Sequence, residues 1–370
     1  MANGRKIRVL VVDDSAFMRK VISDMVNSDS GMEVIVTAKD GMDAIEKAEK
    51  FHPDVITLDI EMPKMDGLEA LNKLTQGLKI PVIMFSSLTK EGAKVTLTAL
   101  EKGAFDFLPK PDNAYFSSFD DVRVELSEKI KAASRVNLSN LLDRNLSVPD
   151  VRKNIEIQKK RIEMSIEQQT VPIGGDPNRH VLHKVVAIGT STGGPRALQE
   201  VIPLLPKNLN AAVLIVQHMP PNFTKSLAER LNSMSNIEVK EAENGEEILT
   251  GRAYIAPGSY HMKVKAKNSE SYVIELDQNP NVEGHRPSAT YMMKAVAPIF
   301  ANKLVGVIMT GMGGDGSDGM VDIKKYGGKT IAEDESTCVV FGMPKVAISK
   351  NAVDYVVPLN KIAEQIVKLV

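Results

Sequence analysis

The chain has 370 residues, enough for two or three domains of about 150 residues that each bury a core. Its 46 basic and 47 acidic residues leave a net charge of −1, without the basic excess that a general nucleic-acid binder carries. A single cysteine, Cys338, excludes an intrachain disulfide and fits a reducing compartment; Met1–Lys6 lacks the apolar core of a signal peptide and no run of about 18 apolar residues occurs, so no membrane span is expected and the expected place is the cytoplasm.

From the N-terminus, Ile7–Val12 is an apolar run broken only by Arg8, and further runs follow at Val34–Ala38, Val55–Leu58, Val82–Phe85 and Phe105–Leu108. Segments with helical spacing lie between them, such as Met42, Ile45 and Ala48. Five strands alternating with helices predict a flavodoxin-like α/β unit built on a five-stranded parallel sheet. In such a sheet the carboxyl ends of the strands share one edge, where ligands bind. Asp13 and Asp14 follow the first strand, Asp59 the third, Ser86 ends the fourth and Lys110 ends the fifth. Three carboxylates there repel one another unless a cation sits among them, and hard oxygen ligands suit Mg²⁺. With the metal and Lys110 neutralising phosphoryl oxygens, Asp59 is placed to attack, so the edge predicts phosphoryl transfer to a carboxylate. A lone aspartate after a strand is explained by capping of the next helix; a matched set at successive strand ends is not.

These residues carry a resemblance to the response-regulator receiver family: Val11-Val12-Asp13-Asp14-Ser15, the run Leu58-Asp59-Ile60-Glu61-Met62-Pro63 continuing to Gly67, Ser86, and Lys110-Pro111. It covers about residues 7–111. The resemblance implies that Asp59 is the phosphoacceptor and that Asp14, with Asp13 mostly through water, holds Mg²⁺. It further implies that Glu61 adds a backbone carbonyl ligand, that Ser86 and Phe107 report the phosphorylated state, and that a histidine kinase is the phosphodonor.

The chain turns polar from Asp112 to His180, with Lys, Arg, Glu and Gln dominating Lys153–Gln168 and loop-forming Pro and Gly over Val171–Arg179. Lys153–Gln168 reads as a solvated helix face, with a docking segment as the alternative. The expected division is a receiver over 1–123, a linker over 124–180 and a second domain over 181–370. Alternating apolar runs resume at Val185–Ile188, Ala211–Val216, Val305–Met309 and Thr330–Ala332, again predicting a doubly wound, mostly parallel α/β fold. Ala253–Ile255, Met262–Val264 and Ser271–Leu276 are separated by Pro257-Gly258 and Lys267–Glu270, which predicts an antiparallel hairpin inserted beside the parallel core.

The second domain has its own chemistry. Gly189-Thr190-Ser191-Thr192-Gly193 follows the strand at Val185 and matches the strand–turn–helix spacing that exposes a serine nucleophile. The helix start beside it offers N–H groups and a positive dipole end to an oxyanion. A serine needs a base. Of six histidines, His218 ends the strand Val213–Val216 and so falls at the same sheet edge as Ser191. The imidazole needs an orienting carboxylate, and the glycine-rich run after Val305–Met309 supplies Asp315, with Asp318 as competitor. An N–H near Met312 is a second oxyanion donor. The order Ser191, His218, Asp315 differs from the Ser, Asp, His order of α/β-hydrolases, so that fold is excluded.

Over residues 184–358 the chain resembles the bacterial chemotaxis protein-glutamate methylesterase family, whose members are also protein-glutamine glutaminases. The resembling segments include Ile188–Gly194, Val216–Thr224, Gly284-His285-Arg286-Pro287-Ser288, Met309–Gly316 and Cys338–Pro344. A receiver followed by an esterase is that family's order. The resemblance selects Asp315 over Asp318. It implies hydrolysis of γ-methyl glutamate esters and deamidation of glutamines on methyl-accepting chemotaxis receptors, with Ser191, His218 and Asp315 catalytic and N–H groups at Thr192 and Met312 holding the oxyanion. It also implies that the unphosphorylated receiver blocks substrate. Two other classes stand beside this reading: a response regulator whose second domain only binds, with the Ser191 turn cradling a phosphate, and a DNA-binding regulator, which the near-neutral charge disfavours.

Overall fold

The computed structural model describes residues 5–110, 119–136, 182–268 and 271–370. They fall into two compact units, Met1–Leu146 and Ser147–Val370. Most of the expected linker, including Lys153–Gln168 and His180, lies outside the described residues, as does Pro111.

The first unit runs β1 (Ile7–Val12), α1 (Ala16–Asn27), β2 (Met32–Ala38), α2 (Gly41–Phe51), β3 (Val55–Asp59), α3 (Gly67–Asn72), β4 (Val82–Ser86), α4 (Lys90–Glu101), β5 (Asp106–Pro109) and α5 (Phe119–Ala133). All five strands are parallel, in the order β2-β1-β3-β4-β5. β3 and β4 are buried along their whole length, as strands covered by helices on both faces must be. Polar side chains start the helices at the carboxyl edge: Ser15 accepts from Met18 N, Asp66 from Glu69 N and Thr89 from Gly92 N. Strand order reverses between β1 and β3, and a crevice opens at such a switch point. The boundary expected at 123/124 cuts α5, whose Val122, Leu126 and Ile130 are buried in this unit's core. Composition misplaced it because α5 is polar on its outer face, which reads as linker.

The second unit runs β6 (Val185–Thr190), α6 (Gly194–Val201), β7 (Ala212–Gln217), α7 (Phe223–Asn232), β8 (Glu238–Glu241), β9 (Arg252–Ile255), β10 (His261–Ala266), β11 (Tyr272–Asp277), α8 (Ala289–Phe300), β12 (Leu304–Ile308), α9 (Ser317–Lys325), β13 (Lys329–Glu333), α10 (Met343–Ser349), β14 (Tyr355–Val357) and α11 (Leu359–Leu369). Seven strands form a parallel sheet in the order β14-β13-β12-β6-β7-β9-β8, and β10 and β11 form a separate antiparallel pair. The expected hairpin therefore holds for β10 and β11 only. β9 instead pairs in parallel with β7 and β8, because its buried Ala253–Ile255 continues the main sheet. Met292 and Met293 of α8 are fully buried, filling the core rather than lining a site. The order reverses between β12 and β6, so Ser191 after β6 and the run Thr310–Asp315 after β12 flank one switch-point crevice.

Candidate active site

In the first unit, Asp13, Asp14 and Asp59 each bring an oxygen into a group spanning no more than 4.8 Å. Asp13 and Asp59 are buried, and Asp14 is exposed. Lys110 Nζ reaches Asp59 Oδ2 at 2.8 Å and Asp13 Oδ2 at 3.9 Å. Burial, reinforced by the Asp13 charge and only partly offset by Lys110, pushes the Asp59 carboxyl up to about 6; burial also raises Asp13. Asp13 Oδ2 is buried without a hydrogen-bond partner. An orphaned carboxylate oxygen within a three-carboxylate cluster fits a hard divalent cation. Glu61 is exposed, and its N–H approaches Asp59 Oδ1 at 3.4 Å. A Cβ at Gly67 would lie 2.1 Å from the Asp59 carbonyl oxygen, so only glycine lets α3 start against this strand end. Ser86 is buried and accepts from Thr96 Oγ1 at 2.7 Å. Phe107 is buried; its carbonyl accepts from Lys129 Nζ at 2.8 Å, and that ammonium lies 5.6 Å from the ring centroid. Sequence reasoning missed Lys129, which also pairs with Asp106 at 2.8 Å and ties α5 to β5.

In the second unit, β6 and β7 pair in parallel with Thr190 opposite Gln217. His218 N donates to Thr190 O at 3.2 Å, so the next residues along, Ser191 and His218, sit on neighbouring strand ends. The turn at Ser191 is fixed from three sides. Gly193 has φ +77° and a Cβ there would fall 2.6 Å from Val339 Cβ, while a Cβ at Gly194 would fall 2.0 Å from Gln217 Oε1. Ser191 N donates to Thr310 O at 3.0 Å, and Thr310 Oγ1 donates to Thr192 O at 2.9 Å. A Cβ at Gly311 would meet Ser191 Cβ at 2.8 Å, so the backbone leading to Met312 lies directly against the serine. Thr192 is buried and Met312 half-buried.

His218 Nε2 is 2.7 Å from Asp315 Oδ2. Asp315 also accepts from Ser288 Oγ at 2.6 Å, Ala289 N at 2.6 Å and Thr290 N at 2.9 Å, the first turn of α8. Burial alone would raise this carboxyl; the bond and charge of His218, with the Ser288 and Thr290 donors, hold it well below the usual range. An ionised Asp315 requires the Nε2–H tautomer of His218, which leaves Nδ1 as the basic nitrogen, and that atom is buried without a hydrogen-bond partner. His285 stacks on the imidazole at 3.8 Å between centroids and 11° between planes. Asp318 pairs instead with Lys350. Cys338 is half-buried, and burial of its sulfur beside Glu333 raises the thiol out of nucleophile range. His285, Ser288 and Thr290 went unassigned in the sequence. For His285 and Ser288 the one signal available was their position in Gly284–Ser288, a segment with no chemistry until the fold brings it to Asp315; Thr290, two residues further on, carried none.

Fold and sites together define a two-component signalling protein with a receiver unit and a hydrolase-type output unit. Residues 9–115 match the response regulator receiver domain model and residues 186–366 the CheB methylesterase model. The chain is 48% identical over 99% of its length, and 94% of the relative's, to a protein-glutamate methylesterase/protein-glutamine glutaminase of Pyrococcus abyssi. It is 46% identical to that of Thermotoga maritima, over 99% of both chains. The solved CheB methylesterase catalytic domain of Thermotoga maritima superposes with a TM-score of 0.50 at 50% identity, covering 51% of this chain and 100% of that one. The chain belongs to the protein-glutamate methylesterase/protein-glutamine glutaminase family, with a receiver unit followed by a CheB methylesterase unit.

Proposed function

We propose that the chain hydrolyses γ-methyl glutamate esters on methyl-accepting chemotaxis receptors, and the amides of receptor glutamines, under control of phosphorylation at Asp59. The observation that carries the hydrolytic half is the His218 imidazole: clamped at Nε2 by a fully satisfied Asp315, stacked on His285, left with a buried, unpartnered Nδ1, and carried by the strand end next to the one that bears Ser191. Ser191 attacks the ester carbonyl and His218 Nδ1 takes the hydroxyl proton. N–H groups at Thr192 and Met312 hold the oxyanion, a contribution of about 3–4 kcal/mol per donor in a comparable site. The tetrahedral adduct expels methoxide, which leaves as methanol with the proton from His218. Water, deprotonated by the same nitrogen, then cleaves the acyl-serine to glutamate. With a glutamine substrate the leaving group is ammonia.

In the receiver, Asp59 accepts the phosphoryl group from a histidine kinase. Asp13, Asp14, Asp59 and the Glu61 carbonyl would hold Mg²⁺, which when bound neutralises phosphoryl charge. Lys110, already 2.8 Å from Asp59, stands to pair with the phosphoryl oxygens. Ser86 and Phe107 carry the change of state outward, and the cytoplasm is the proposed site of action. The reading is tested by methanol release from methylated receptor. Ser191→Ala should lose at least about a thousandfold while still taking up phosphate from acetyl phosphate; retained hydrolysis would end the assignment.

A further inference from the structure

Glu333, at the end of β13, is fully buried. Its Oε2 accepts from Thr310 N at 2.8 Å, whereas Oε1 has no hydrogen-bond partner. Thr310 is the hub behind the nucleophile turn. Its carbonyl takes the Ser191 N–H, its hydroxyl donates to the Thr192 carbonyl and accepts from Val340 N at 3.0 Å, and its amide is held by Glu333. No cation pairs with Glu333 among the described residues. The groups that bear on it are Glu200 of α6, itself 3.5 Å from Arg196, and Thr337 and Cys338 on the loop after β13. Asp334 and Glu335 lie on the same loop, and their charge bears on Cys338. A carboxylate in this pocket is desolvated, has one N–H donor and faces further negative charge; the neutral acid escapes most of that cost. Burial, reinforced by Glu200, pushes the carboxyl up to about 7 against the Thr310 bond and the smaller lowering effects of Thr337 and Cys338.

We propose that Glu333 is a positioning residue: as a neutral acid it holds the Thr310 amide and so keeps the Ser191 turn in register with His218. It touches no substrate and acts through Thr310. Loss of its proton places an uncompensated charge behind the turn, so turnover falls as pH rises through neutrality. The role rests on Ser191 being the nucleophile, and the two readings fail differently.

The test is methanol release by the full chain from methylated receptor between pH 6 and 8.5, with the Ser191→Ala rate subtracted at each pH. Glu333→Gln keeps the acceptor and cannot ionise. It should match the wild-type kcat within twofold at pH 6.5, and should lack the alkaline decline, expected to be fivefold or more, that the wild type shows by pH 8.5. Glu333→Leu removes the acceptor and should lower kcat at least tenfold with KM within twofold. An unchanged kcat in Glu333→Leu, a tenfold loss at pH 6.5 in Glu333→Gln, or superimposable pH profiles for Glu333→Gln and wild type would each overturn the proposal. If Glu333→Leu does not fold, the Glu333→Gln profile decides alone. Activity surviving in Ser191→Ala would remove the nucleophile assignment and show in the blank, apart from any Glu333 effect.

Discussion

Asp315 has both oxygens fully employed, taking His218, Ser288, Ala289 and Thr290 as donors. Asp315→Asn turns one acceptor into a donor, which either faces the Thr290 amide from the Oδ1 position or, from the Oδ2 position, faces the Ala289 amide and forces the wrong tautomer on His218. The expected outcome is a kcat loss of about 10³–10⁴-fold, the scale seen when a triad aspartate becomes an amide, with KM within a few-fold in the receptor assay. Glu333 and Asp315 also give opposite pH signatures in stability. Asp315, held low, contributes above its unfolded value near 4 and loses that contribution as pH falls through its folded value. Glu333, raised from 4.5 to about 7, contributes fully below 4.5 and loses that contribution as pH rises to about 7, a change on the order of 3 kcal/mol. Urea midpoints followed from pH 4.5 to 8 should therefore fall less steeply for Glu333→Gln than for wild type, and the two curves should run parallel above pH 7.5. The sequence exposed Ser191, His218 and Asp315 because each ends a strand or opens a glycine-rich turn. It did not expose Glu333 or Ser288, since a residue whose task is to bond another residue's backbone or carboxylate carries no local pattern.

At the scale of elements, two parallel pairings and one helix start do the assembly. β6 lies between β12 and β7, so the turns after all three strands converge, and α8 delivers its first-turn N–H groups to Asp315. Ser288 serves twice there: it caps α8 through Tyr291 N and donates to Asp315. Ser288→Ala should cost about 1–2 kcal/mol of stability from the lost cap and lower kcat several-fold at unchanged KM, read by thermal melting and by initial rates on the same preparation. Parallel strands buried on both faces were legible as apolar runs, and β1, β6 and β7 fall within a residue or two of where those runs place them. β8 and β14 were not. β8 buries only Val239, β14 is exposed at Tyr355 and Val356, and an edge strand needs no continuous apolar run. β9 was read as part of a hairpin because nothing local distinguishes a strand that pairs with its sequence neighbour from one that pairs across a crossover.

For the whole molecule, the two units divide the work between two switch-point crevices, one bearing a carboxylate cluster and the other a clamped imidazole. If phosphorylation controls hydrolysis, the receiver's two states must differ in free energy of interaction with the rest of the chain, because a modification shifts an equilibrium only by its differential effect on the two states. A tenfold activation requires about 1.4 kcal/mol of such coupling. Asp59→Asn removes the acceptor without touching the second unit. In the full chain it should leave basal methanol release within twofold of wild type and abolish its stimulation by acetyl phosphate with Mg²⁺. Chelation should do the same to wild type, because the orphaned Asp13 oxygen and its neighbours then carry their repulsion uncompensated. Removing residues 1–146 should free the second unit from control altogether, giving a basal rate at or above the stimulated rate of the full chain. A rate below the unstimulated one would mean that the receiver supports hydrolysis rather than restrains it, and the sign of control would have to be reversed.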